Sequence, residues 1–123
     1  MAYIFDEPYH ISTNGSYKDH LVDNSEERRN LAGVDLVINN SKDTYGKTVR
    51  ARFGGKKVNA IGNYGEKYVQ ITDGDTRRLY VHLKDFAGTP GKGEWVNEGD
   101  IIGYAGNTGW VYPKPTVEEP WAG

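Results

Sequence analysis

The side chains able to hold a metal or shuttle a proton are few in this sequence. Three histidines, His10, His20 and His82, stand among 17 carboxylates, and the absence of cysteine removes every thiolate chemistry. His82 sits between Tyr80 and Leu83 on an alternating run, where a half-buried, hydrogen-bonded imidazole or a proton-shuttling one are both open readings. Asp35 lies inside the apolar run Val34–Ile38, as a strand carboxylate bonded to a turn or as a functional group. Glu118 and Glu119 stand side by side between prolines, which reads as a solvated pair. Asp73, Asp75 and Asp100 occupy turn positions, where aspartate serves the backbone. The glycine-rich run 99–109 is no phosphate cradle, because no Lys-Ser/Thr follows and no helix begins there. Tyr80 reads as core or groove wall. Trp110, Tyr112 and Trp121 read as groove lining for a glycan or peptide, or as packing.

Short strands must position these groups. Tyr3–Phe5 reads as an edge strand, and the charged stretch Asp23–Asn30 as a solvated loop or a single helical turn. Val34–Ile38 and Lys47–Phe53 read as strands, with Gly54-Gly55 as a hairpin turn into Lys57–Ile61. Asn63-Tyr64-Gly65 turns the chain into Tyr68–Thr72. Asp73-Gly74-Asp75 then predicts a type I′-like hairpin into Arg77–Leu83. Residues 84–95 and 110–123 read as loops, and Val96, Ile101 and Ile102 flank a Gly99-Asp100 turn. The pattern predicts no helix of ordinary length and no internal repeat.

The 123 residues suffice for one domain with a modest core. A net charge of −2 and the lack of a basic run among the tyrosines argue against nucleic acid as a partner. No run of about 18 apolar residues is present, so membrane insertion is not expected. The opening residues Met1–Asp6 have neither a basic nor an apolar signal region, so delivery outside the cell would need another route.

Five segments, taken in order, resemble the lysostaphin-like (LytM-type) zinc endopeptidases. They are Gly33-Val34-Asp35-Leu36, Gly46 to Ala51 followed by Gly55, Tyr64-Gly65-x-x-Tyr68-Val69-x-Ile71, Tyr80-Val81-His82-Leu83, and Val96 to Gly109 ending in Gly-Asn-Thr-Gly. The resemblance implies an all-β fold, a single antiparallel β-sheet domain of the LytM (duplicated hybrid motif) type with long loops. It would span 33–123, behind a polar N-terminal segment of residues 1–32, in one compact domain. It also implies that Asp35 is a metal ligand and that His82 is one of two catalytic histidines. The family's first ligand histidine corresponds to Leu31, which has no lone pair to offer. The family's His-x-His strand should follow Gly-Asn-Thr-Gly, yet no histidine follows His82. The loop from Trp110 to Trp121 would instead lead toward a strand beyond Gly123. His20 could in principle fold back toward Asp35, though nothing local demands it.

One carboxylate and one imidazole are too few to grip zinc tightly, so the family's zinc is expected to be absent or weakly bound. The resemblance then implies a degenerate, non-hydrolytic domain that binds bacterial peptidoglycan or a cell-wall enzyme, or serves as a structural or regulatory module. Its place would be extracellular, at a cell wall or on a virion, including a phage tail. The alternatives are an active zinc endopeptidase completed by a longer chain or a second subunit, and a glycan-binding β module unrelated to peptidases.

Overall fold

The computed structural model describes residues 3–11, 36–88, 93–109 and 114–123. Their elements in chain order are β1 (His10–Ile11), β2 (Leu36–Val37), a one-turn helix α1 (Ser41–Thr44), β3 (Thr48–Arg50), β4 (Gly55–Ile61), β5 (Lys67–Asp73), β6 (Thr76–Phe86), β7 (Trp95–Val96) and β8 (Ile101–Ala105). The protein is nearly all-β. A curled antiparallel sheet runs in the order β3-β8-β6-β5-β4-β7, beside a separate β1-β2 pair.

The meander β4-β5-β6 is built by turn chemistry. The β4–β5 turn closes with Gly62 N donating to Glu66 O at 2.8 Å, and Gly65 takes a φ of +83° that side chains rarely adopt. Between β5 and β6 the pair Asp73↔Thr76 leaves Gly74 and Asp75 as the central residues. Only Gly74, at φ +59°, is left-handed. A left-handed residue at the first central position alone fits a turn of the II′ kind rather than the expected I′.

Two other expectations are corrected. Gly54-Gly55 is not a hairpin, since β3 pairs with β8 while β4 pairs with β5 and β7. Glycine is needed there for close approach. A Cβ on Gly55 would stand 2.7 Å from both Thr72 O and the Ile71 methyl group. Tyr3–Phe5 forms no strand either. Ile4 O accepts one bond from Arg50 N at 2.8 Å, and the chain next pairs as a strand at His10. Of Val34–Ile38, Leu36–Val37 forms β2, and Ile38 is buried. Asp23–Asn30 lies outside the described residues.

The core follows from the period-2 alternation of the strands. Val69 and Ile71 on β5 face inward with Tyr80, the cross-strand partner of Val69, and with Leu83, and Val49, Val96, Ile102 and Ala105 close over them. Phe5 joins this cluster, so the N-terminal segment contributes to the same core. Full burial of residues such as Val96 and Ile102 contributes about 1.5–3 kcal/mol each. α1 is started by Asn40, whose side-chain oxygen accepts from Asp43 N at 2.8 Å.

Candidate functional site

His82 lies where two strands fall out of register. On β5, Lys67 pairs with Leu83 and Val69 with Tyr80, so Val81 and His82 together face the single residue Tyr68. This is a β-bulge, and His82 is its left-handed residue at φ +61°. Among the described residues it is the one non-glycine with positive φ. Histidine is among the side chains that enter this region more readily than most. A second irregularity follows on the other edge of β6, where Leu83 pairs with Ala105 and Asp85 with Tyr104, leaving Lys84 unmatched. Bulges of this kind re-aim side chains and are common beside active sites.

The segment Gly106–Gly109 fastens the bulge. His82 Nδ1 lies 2.6 Å from the Thr108 carbonyl oxygen. A carbonyl oxygen only accepts, so Nδ1 carries the hydrogen and, in the neutral ring, Nε2 holds the lone pair. The Thr108 hydroxyl accepts from Lys67 N at 2.9 Å and donates to Leu83 O at 2.7 Å. Gly106 passes so close to β6 that a Cβ would stand 2.4 Å from Lys84 N. Gly109, at φ +87°, leaves no room for a Cβ above the Glu66 backbone. Asn107 turns outward from this run and donates 2.7 Å bonds to Pro120 O and Ala122 O, which ties down the returning chain.

Tyr80 belongs to the core. Its hydroxyl accepts from Arg52 N at 3.1 Å, and burial pushes the phenol above its ordinary range despite that bond and the nearby Arg78 and Arg52 charges. Asp100 serves its turn, accepting from Asn97 N at 2.8 Å, and Glu118 and Glu119 are exposed. Trp121 is half-buried, with the Lys42 ammonium 4.9 Å from the centre of its ring. Trp110 and Tyr112 lie outside the described residues.

Asp35, Leu31 and His20 also lie outside the described residues, so the structure does not bring Asp35 and His82 together or hold them apart. The described residues alone do not assemble the donors of a zinc site. Among the described residues no three His, Cys, Asp or Glu side chains come together as a metal site. His10 is exposed on β1, paired with Val37. Outside the described residues, Leu31 cannot act as a ligand.

Thr108 was missed as a site residue by sequence reasoning. The signal was present in Gly-Asn-Thr-Gly, but only the glycines of that motif suggest a backbone role, and Thr108 acts partly through its carbonyl.

The family model for Peptidase family M23 matches residues 29–118, a span that takes in Asp35, His82 and Thr108. No curated protein and no solved structure matches the chain. The family match sets aside a β module unrelated to peptidases. With the sheet, the Tyr-x-His-Leu strand and the Gly-Asn-Thr-Gly clasp in their order along the chain, this protein belongs to peptidase family M23, the LytM-type, peptidoglycan-related and generally zinc-dependent peptidases.

Proposed function

We propose that this chain is a degenerate LytM-like domain that binds bacterial cell-wall peptide without cleaving it. The observation that carries the reading is the shortage of donors. By the resemblance, Leu31 stands where the family has its first ligand histidine, and no metal-holding cluster forms among the described residues. Peptide hydrolysis at a zinc centre needs three protein ligands and a metal-bound water, and this donor set does not supply the three. His82 then serves as a recognition group. Its Nε2 lone pair accepts a hydrogen bond from a backbone amide or an amine of the peptide, while Thr108 holds the ring. The partners would be peptidoglycan or an enzyme that acts on it, at a cell wall or on a virion such as a phage tail.

A second reading is favoured by the bulge itself. A residue held at φ +61° costs on the order of 1–3 kcal/mol, and such strain clusters at active sites. On that reading the domain is a zinc endopeptidase that cuts peptidoglycan cross-links, completed by a His-x-His strand from more chain or a second subunit, and by a replacement for Leu31.

Purified protein incubated with zinc, then desalted, separates the two by metal analysis and a cell-wall assay. The binding reading expects substoichiometric zinc, co-sedimentation with purified sacculi, and steady turbidity of a sacculus suspension. Stoichiometric zinc with falling turbidity overturns it, and failure to co-sediment removes the cell-wall ligand.

A further inference from the structure

We infer that Thr108 is a positioning residue which sets the tautomer of His82. The inference stands whether the domain cleaves peptide or only binds it. Three bonds converge on this one residue. Its hydroxyl joins Lys67 N on β5 to Leu83 O on β6, at the pair that closes the bulge. Its carbonyl, 2.6 Å from His82 Nδ1, then lies where only an Nδ1–H can meet it. The hydroxyl thus fixes the carbonyl, and the carbonyl fixes the ring.

The consequence concerns which nitrogen is offered to a ligand. An imidazole free in water favours the hydrogen on Nε2, and a hydrogen bond at one nitrogen decides the matter for both. With Nδ1–H committed, Nε2 is an acceptor, and among the described residues it has no protein partner. His82 is half-buried, so its surroundings are only partly water. A site of this kind takes N–H and ammonium donors and disfavours carbonyl or carboxylate oxygens at the same point.

The flanking glycines support the same role. Gly106 and Gly109 allow the segment to lie against Lys84 and Glu66 backbone atoms, and this brings Thr108 to the register break. Serine can replace the bridging hydroxyl. Valine keeps the shape and the carbonyl but removes the hydroxyl.

Ring-nitrogen NMR on the full chain, 15N-labelled at histidine, reads the tautomer directly. At pH ~8.5, above the ordinary imidazole range, the wild type should show His82 as the Nδ1–H form, assigned by loss of its signals in His82→Gln. Thr108→Ser should keep that form, and Thr108→Val should shift His82 toward Nε2–H while its amide spectrum stays dispersed. A wild-type spectrum dominated by Nε2–H overturns the inference. So does a folded Thr108→Val protein with an unchanged tautomer. If Thr108→Val does not fold, the wild-type and Thr108→Ser spectra decide, and an Nε2–H ring in either overturns the inference.

Discussion

The Lys57 ammonium lies 3.3 Å from the Ala87 carbonyl oxygen, on a residue that solvent does not reach at all. Desolvation holds this lysine below its ordinary pKa, and the nearby Glu94 charge opposes that shift. Lys57 faces inward with Ile71, its cross-strand partner.

Lys57→Met should change stability at pH 7 by no more than about 1–2 kcal/mol, because relief of a desolvated charge is offset by the lost bond to Ala87 O and the lost Glu94 attraction. The pH dependence has a definite sign. The unfolded chain, with the ordinary lysine pKa near 10.4, binds more protons than the folded one just below that pH, so wild-type stability rises toward pH 10.4. Urea unfolding between pH 7 and 10 should show this slope in the wild type and lose it in Lys57→Met. A Met variant with the same slope would refute the account.

Gly106 and Gly65 are both required, for different reasons. Gly65→Ala meets open space and suffers only its left-handed φ, a cost of about 1–2 kcal/mol. Gly106→Ala drives a Cβ into the Lys84 backbone, which cannot yield as a flexible side chain would, and should cost about 3 kcal/mol or more. Chemical denaturation of the two variants checks the ranking, and equal losses would mean that the β6–Gly106 contact is looser than described.

At position 82 the backbone and the ring can be tested apart. Asparagine tolerates the left-handed region, so His82→Asn should keep most of the stability while removing the imidazole. His82→Val places a β-branched residue at φ +61° and should unfold with a further loss of about 2 kcal/mol. Thermal melts followed by circular dichroism read the difference. If the two variants melt together, the bulge is not strained.

Exhaustive chelation should leave the melting temperature unchanged. A structural zinc worth even ~1 kcal/mol would lower it by roughly 4 °C on removal in a domain of this size. Scanning calorimetry before and after EDTA dialysis decides the point, and a clear drop would reveal ligands beyond the described residues.

The locally encoded half of the fold was legible in the sequence. Gly65 and Gly74 announce the two turns of the β4-β5-β6 meander, because a turn's residues carry its backbone requirements themselves. The long-range pairings were not. Nothing near Thr48–Arg50 says that its partner is Ile101–Ala105, and Gly54-Gly55 imitates a hairpin while serving a close packing. His82 was legible through Tyr80-x-His82-Leu83, but its bulge was hidden, since an alternating run does not show where register breaks. Lys57 escaped notice because alternation assigns a face and residue type argued for exposure. Asp35 lies outside the described residues.

The placement of β8 between β3 and β6 has a kinetic consequence. During synthesis the meander can form early, since its contacts are close in sequence, but the flank of β6 stays open until residues 101–105 leave the ribosome. Until then the nascent chain presents unpaired amides and carbonyls to its neighbours, a template for intermolecular strand addition. Aggregation during expression should therefore respond most strongly to changes that delay or weaken insertion of this late strand.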